Sequence, residues 1–444
     1  MSTETMHRAA AGMAAQFVSA FARSAGRPRI LVIAPHNSYR TGSFLEAARK
    51  LDIDVLVASE GHYTLASTDA AGLRIDLHDT QSAVRTVLNE SLRHPFTGII
   101  GTDDPTTELA ALVAEQLSLP HNPPSAVRLA RRKDLARRHL LEQGLPVPRH
   151  QVIDLHASLA SQAELLRFPC VVKPLELSAS RGVIRANDFD QFTRACARLE
   201  RLLASEDVNE RDCVLAEDFV PGREVAIEGM LTDGALEALA IFDKPDPLDG
   251  PFFEETYYTT PSRLTAATQG VILQTVQRAC AAYGLQEGPI HAECRINDKG
   301  VWLLEIAART IGGLCGRLLR FGTGYMLEEL VISHAVGAPI APIPRNEAAG
   351  VLMIPVPGAG ILRRVEGVFA AQRVPYIEEV AIQIREGYEL VPWPEGSSYP
   401  GFIFARAPTP GQAEAALRKA HRHLNFVIAP LWKGTTACSP ARVS

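Results

Sequence analysis

An α/β protein carrying an additional α+β lobe is the reading this 444-residue sequence supports, on three observations. Short apolar runs alternate with helix-length segments from Arg29 to Gln116, the pattern of a parallel sheet built from βαβ units. Strand-like runs around one amphipathic segment at 147–242 predict a smaller mixed lobe. The stretch His291–Arg309, HAECRINDKGVWLLEIAAR, reads as two strands joined by a tight turn. At roughly 150 residues per domain, the length holds about three such units.

Residues 1–27 are rich in alanine and set Arg8, Arg23 and Arg27 against one acid, Glu4. A flexible, loosely docked extension is expected there; a transit peptide would have a similar composition. The first unit, 28–122, opens with the run RILVIAPH at Arg29–His36 and the helix-length segment Gly42–Leu51. DIDVLVAS, LRIDL, helical Thr80–Leu92, FTGIIGTDD and helical Glu108–Gln116 continue the alternation. No GxGxxG or GxxxxGK[ST] occurs, so neither a dinucleotide fingerprint nor a P-loop accounts for it.

The second unit, 123–345, starts with a helical stretch, Ala126–Gln143, closed by Gly144 and Pro146. It includes the small lobe at 147–242, with a helix over Phe189–Ala204 and two strand runs in CVLAEDFVPGREVAIEGMLT. A helix over Thr265–Tyr283, the double-strand segment and a helix near Gly324–Val336 complete it. The tail, 346–435, shows short strand runs, turn signals at Pro357-Gly358 and Pro400-Gly401, and a helix over Gly411–Leu424.

Composition excludes several classes. With 46% hydrophobic and 21% charged residues the chain is not a disordered polyelectrolyte. Lys and Arg number 45 against 50 Asp and Glu, so no general nucleic-acid surface is expected. Seven cysteines without a CxxC pair read as reduced, mostly buried residues of a cytoplasmic protein. No apolar run approaches the roughly 18 residues of a membrane span.

The hairpin carries the strongest chemical signal. A three-residue turn at Asp298–Gly300 sets Glu293 opposite Glu305. Facing carboxylates repel unless a proton, an arginine or a divalent cation lies between them, and magnesium prefers oxygen ligands. The plain alternative is two exposed glutamates on a hairpin. Arg309, four residues on, offers a fixed fork of donors for a phosphate or carboxylate. Lys173 ends the apolar run FPCVVKP, where an ammonium is costly unless it faces a cleft. The following ELSASRG has the small residues and backbone freedom to fold over phosphate oxygens. Lys133, in RLARRKDLARR, reads on its own as part of a solvated helix face. Glu217 and Glu224 flank DFVPG, a strand–turn–strand able to offer backbone groups to an adenine edge and a carboxylate to a ribose; an ordinary solvent-facing hairpin is the alternative.

Taken in order, Lys133, Lys173 with its small-residue loop, the segment Glu217–Glu224, Glu293, Glu305 and Arg309 resemble the ATP-grasp superfamily from about Ile30 to Asn425. The resemblance implies an ATP-grasp fold behind an N-terminal parallel-sheet pre-ATP-grasp domain, with the small lobe as a lid over ATP. It implies that Lys133 and Lys173 contact phosphates and that Ser178, Ser180 and Gly182 belong to a flexible phosphate loop. It places Glu217, Asp218, Phe219 and Val220 at the adenine, Glu224 at the ribose, and Arg309 at the transferred phosphoryl group. Glu293 and Glu305 would hold magnesium, as two ions that manganese can replace.

One departure narrows the branch. Many members have Glu-x-Asn-x-Arg after the hairpin, whereas this sequence has Glu305-Ile306-Ala307-Ala308-Arg309, and Ala307 cannot ligate. EIAAR followed by Gly312-Gly313, the segment FDKPDPLDGPFFEET and the tail VPGAGILRRVEG look like the branch containing bacterial L-amino acid ligases and carnosine synthase. What the resemblance implies is an ATP-dependent carboxylate–amine ligase that makes dipeptide-like amides from L-amino acids through an acyl phosphate, releasing ADP and phosphate. The alternatives are a biotin-carboxylase-like use of bicarbonate, for which no MKM segment is present, and a non-catalytic nucleotide-binding regulator. His291, on the strand face of Glu293, is a candidate base, and Glu255, Tyr257, Tyr258, Gly312 and Gly313 are candidates for the substrate pocket. Expected partners are a small carboxylate and an amine, without nucleic acid or membrane; a homodimer is compatible.

Overall fold

The computed structural model describes residues 27–61, 71–341, 343 and 347–431. Residues 1–26 of the anticipated extension and Cys438 lie outside the described residues. Strands β1 (Arg29–Ile33), β2 (Asp54–Ser59), β3 (Ala71–Arg74) and β4 (Gly98–Gly101) form a parallel sheet in the order β3-β2-β1-β4. Both faces of β1 are buried: Ile30 and Val32 pack with Phe44, while Leu31 and Ile33 pack with Val87 and Val113. This explains the unbroken apolar run, since covered parallel strands need not alternate. The segments after β1 and β4 leave the same edge of the sheet and carry Tyr39, Arg40, Asp103 and Asp104, at the carboxyl ends where such sheets place ligand sites.

Strands β5 (His150–Asp154), β6 (Cys170–Pro174), β7 (Ile184–Ala186) and β8 (Cys213–Asp218) make a second, antiparallel sheet, ordered β5-β8-β6-β7. The helix Phe189–Ala204 backs it, capped by the Asp188 carboxylate accepting from the Gln191 N–H. Phe192, Cys196 and Leu199 fill the space between helix and sheet.

The remaining strands are β9 (Arg223–Thr232), β10 (Ala235–Lys244), β11 (Tyr257–Thr260), β12 (Gly288–Asn297), β13 (Gly300–Ala307), β14 (Ala348–Met353), β15 (Gly360–Glu366), β16 (Ile377–Ile382), β17 (Glu389–Leu390), β18 (Gly401–Ala407) and β19 (Asn425–Ala429). Eight of them form one large antiparallel sheet, β13-β12-β9-β10-β11-β14-β18-β16, so the tail extends the sheet that carries the glutamate hairpin. A three-stranded sheet, β17-β15-β19, lies beside it. On one side of the large sheet, Val225, Ile227 and Leu231 pack on the helix Ala266–Tyr283; on the other, Ala226 and Met230 share a core with Ile30, Phe44 and Leu330. The first unit is thereby packed into the core of the large sheet. Among the described residues no helix is long and apolar enough to cross a membrane.

Three sequence expectations are corrected. The run Glu217–Glu224 is not a hairpin: β8 belongs to the small sheet and β9 to the large one, so Phe219–Gly222 links two lobes. The small lobe's sheet therefore ends at Asp218 rather than continuing to 242. At Gly222, with φ +130°, a Cβ would come within 2.3 Å of the Ile296 carbonyl oxygen, so the link presses against β12. The single helix over Ala126–Gln143 is two, Pro124–Arg131 and Lys133–Glu142, because Arg132 is extended (φ −96°, ψ 100°) and its guanidinium pairs with Asp134. The turn of the glutamate hairpin has two residues, Asp298 and Lys299, with Asn297 paired to Gly300. A bulge at Leu304 then shifts the register, and Glu293 still lies opposite Glu305.

Candidate active site

A cavity of about 530 Å³ opens where the three units meet, and most of the candidate residues line it. The break at Arg132 makes Lys133 the first residue of a helix, and its Nζ donates to the Leu177 carbonyl at 2.6 Å and lies 3.9 Å from Glu305. Lys173, near the end of β6, donates to Glu217 on the neighbouring β8. Glu217 also accepts from Arg137 Nε at 2.9 Å, and Arg137 Nη2 donates to the Leu304 carbonyl that the bulge sets free, at 2.7 Å. Burial works against the Glu217 charge, but Arg137 and Lys173 hold the carboxyl down at about 2. Two cations thus share one buried carboxylate. Burial, with repulsion from Arg137, outweighs Glu217 and lowers Lys173 to about 8. The group carries surplus positive charge, suited to an anion. Glu217 itself organises these cations; its carboxylate is not free to face a base.

At the link between lobes, Asp218 N–H donates to Arg149 and Phe219 N–H to Pro169, while the Val220 carbonyl accepts from Arg295 Nη1 at 2.8 Å. Of these groups the Val220 N–H remains for the edge of a base. The segment Ser178–Gly182 is tied to the tail: Trp393 Nε1 donates to the Ala179 carbonyl at 3.2 Å, Gly182 N–H to Pro394 at 2.9 Å and Arg181 Nε to Glu395 at 2.8 Å.

The acidic centre is larger than the expected pair. Glu224, Glu255 and Glu293 place carboxylate oxygens within 4.8 Å of one another. Lys244, the last residue of β10, sits among them, with Nζ 2.8 Å from Glu224, 2.5 Å from Glu255 and 2.7 Å from Glu293. Glu224 also accepts from Arg295 Nε at 2.8 Å, so the residue assigned to ribose is bound into this cluster. Burial and the Glu293 charge push Glu255 up to about 7 despite Lys244. Hard oxygen donors of the kind a divalent cation takes thus converge at Glu224, Glu255 and Glu293 around Lys244, while Glu305, opposite Glu293 in the hairpin, stands outside that set.

His291 is corrected as a base. Its Nδ1 lies 3.0 Å from Glu228 and its Nε2 3.5 Å from Glu293. Burial opposes its charge, yet the two carboxylates raise it to about 9, so it stands protonated at neutral pH. Tyr257 is corrected as a pocket residue: its ring lies under Arg418 at 4.2 Å and its hydroxyl 3.4 Å from His421, away from the cavity. Tyr258, the next residue and therefore on the other face, lines the cavity with Lys244 Nζ 5.1 Å from its ring. Glu255, Gly312 and Gly313 line it as well.

Arg309 is fixed by Asp104, which accepts from Nε at 2.8 Å and from Nη2 at 2.9 Å, and Nη1 donates to the Thr310 carbonyl. Burial opposes the Asp104 charge, but Arg309 holds it at about 2. Two of the five guanidinium N–H groups remain for a ligand.

The ATP-grasp domain family model matches residues 166–317, the ATP-grasp N-terminal domain model 45–121, and the L-amino acid ligase C-terminal domain 2 model 352–429. The chain carries an ATP-grasp domain. A crystal structure of L-amino acid ligase from Bacillus licheniformis superposes with a TM-score of 0.76 at 26% identity, covering 91% of this chain and 100% of that one. Carnosine synthase 1 of Gallus gallus is 30% identical over 269 residues, 56% of this chain and 29% of that protein. D-alanine–D-alanine ligase of Bordetella petrii is 27% identical over 218 residues, 46% of this chain and 62% of that protein. The chain thus spans under a third of the carnosine synthase and under two thirds of the D-alanine ligase. These relatives support ATP-dependent ligation as the chemistry of this fold.

Several ATP-grasp cavity residues escaped the sequence reading. Lys244 ends the run ALAIFDK as Lys173 ends PCVVK, the one signal by which it was findable. Arg137 stands four residues after Lys133 and three before buried Leu140, a helical spacing that puts it on the packed side. Asp104 and Arg40 carry no local signal; Arg40 reaches across 270 positions to donate to the Thr310 hydroxyl at 2.7 Å.

Proposed function

We propose that this ligase joins an amino acid to a second amino acid or amine by phosphorylating a carboxylate with the γ-phosphoryl group of ATP, and that the acyl phosphate is then displaced by the amine with release of phosphate. The observation that carries this is the single cavity in which Lys133, Lys173 and Arg309 stand beside the Glu293–Glu305 pair. A carboxylate approaching a triphosphate meets charge repulsion, and cations fixed in advance lower that cost without reorganising. Lys173, with Arg137 and Glu217 behind it, and Lys133 would hold phosphate oxygens. The Val220 N–H would meet the adenine edge. Arg309, immobilised by Asp104, would direct its free N–H groups at the transferred phosphoryl group. Glu293 and Glu305 would hold magnesium, which when bound neutralises phosphate charge. Ser178–Gly182, strapped by Trp393–Glu395, would exclude water from a hydrolysable intermediate.

The test is incubation with ATP, magnesium and a library of amino acids and amines, measuring ADP and identifying the product by mass spectrometry. One amide per ADP is expected. AMP with pyrophosphate would replace the acyl phosphate with an acyl adenylate, and ATP turnover driven by bicarbonate alone would restore the carboxylation reading.

A further inference from the structure

Besides its charged centre, the cavity has an uncharged recess in its lining that phosphate chemistry leaves unused. Leu314, Cys315, Met353, Tyr399 and Phe402 wall it, drawn from the segment after Arg309 and from the tail. Cys315 Sγ lies 3.7 Å from Met353 Sδ, and the Tyr399 ring is 6.0 Å from that of Phe402. Cys315, Met353 and Phe402 are almost fully buried and form fixed walls. Tyr399 stands outside any strand and is only half-buried. Its back is held by Trp393, 4.8 Å away, the residue that also straps Ser178–Gly182. Gly313 also lines the cavity, with φ +61°, and a Cβ there would come within 3.1 Å of the Phe402 ring. Glu255 lines the same cavity, so the recess adjoins the acidic centre.

A thiol, a thioether and two aromatic rings beside a carboxylate cluster offer a triphosphate nothing, whereas they complement an apolar side chain whose backbone groups reach the charged centre. Resting on the amino acid ligase reading, we infer that this recess receives the side chain of one amino acid reactant. Large aliphatic or aromatic amino acids are the preferred class, and Tyr399 sets the size limit.

The test gives the full chain ATP, magnesium and L-amino acids singly and in pairs, reading kcat/KM from ADP release and composition from product mass. Leucine, methionine and phenylalanine are expected to exceed serine and glutamate by about tenfold or more, the scale on which apolar pockets discriminate. Tyr399→Ala should move the optimum toward phenylalanine and tryptophan and lower kcat/KM for leucine. Tyr399→Leu should move it the same way by less, and reads independently should the alanine variant fail to fold. Tyr399→Phe should keep the profile. Ligation dominated by charged or small amino acids, or a profile unchanged by both Tyr399→Ala and Tyr399→Leu, overturns the assignment while leaving the ligase intact. ADP release with no amino acid at all overturns the ligase reading and this assignment with it.

Discussion

Replacing Glu217 by glutamine removes the one carboxylate that Arg137 and Lys173 share while keeping the side chain's size. The carboxyl is held from an ordinary 4.5 down to about 2. At 1.36 kcal/mol per unit this is about 3 kcal/mol, within the range for stranding a charge from a buried ion pair. The expected consequence is local, because β8 hydrogen-bonds to β5 and β6 on either side. Amide exchange over Cys213–Asp218 should lose about a hundredfold in protection at neutral pH, at about 1.4 kcal/mol per factor of ten. The sign with pH follows from the lowered folded value. The stabilisation is complete above the unfolded value near 4.5 and is lost as pH falls toward 2, so Glu217→Gln and the parent should converge only in acid. A change in protection below threefold at pH 7, or a gap that persists unchanged at pH 2, would refute the claim that this carboxylate holds two buried cations.

Lys173 stands at about 8 in the free protein, and a bound triphosphate would raise it. Nucleotide binding should therefore take up a proton and weaken as pH rises through 8; calorimetry in buffers of different ionisation enthalpy measures the uptake, and constant affinity from pH 7 to 10 contradicts it. Glu305→Gln should lower turnover by about 2–4 kcal/mol of transition-state free energy with the fold retained; near-parental turnover at limiting magnesium would remove it from the metal site. Trp393→Ala loses the hydrogen bond to Ala179 and the tilted ring contact with Tyr399, so protease cleavage within Ser178–Gly182 should quicken, and an unchanged cleavage rate would show that the tail does not strap this segment.

Much of the local structure was legible. The helices expected over Phe189–Ala204 and Thr265–Tyr283 form over Phe189–Ala204 and Ala266–Tyr283. The glutamate pairing was found through a turn of the wrong length: the two-residue turn alone would displace Glu305 from Glu293, and the bulge at Leu304 restores the match. Periodicity does not report a bulge. Nor does it report that two runs joined by Pro221-Gly222 enter different sheets, because hairpin and crossing look alike over eight residues. The site followed the same division. Lys173, Glu293, Glu305 and Arg309 fall in recognisable local settings, Lys133 is picked out only by its place in the order of motifs, and Asp104 meets Arg309 across 205 positions, where only the fold brings them together. His291 was located on the right strand face, but its company of two carboxylates turns a candidate base into a cation.

The central claim, phosphoryl transfer to a carboxylate within the Lys133–Lys173–Arg309 cavity, is tested most directly by isotope transfer. An amino acid substrate identified by the ligation assay is labelled with oxygen-18 in its carboxylate and turned over with ATP, and the released phosphate is weighed by mass spectrometry. An acyl phosphate passes one labelled oxygen from the carboxylate to phosphate for every amide formed. Phosphate free of label alongside a full yield of amide, or label in AMP, would contradict the account.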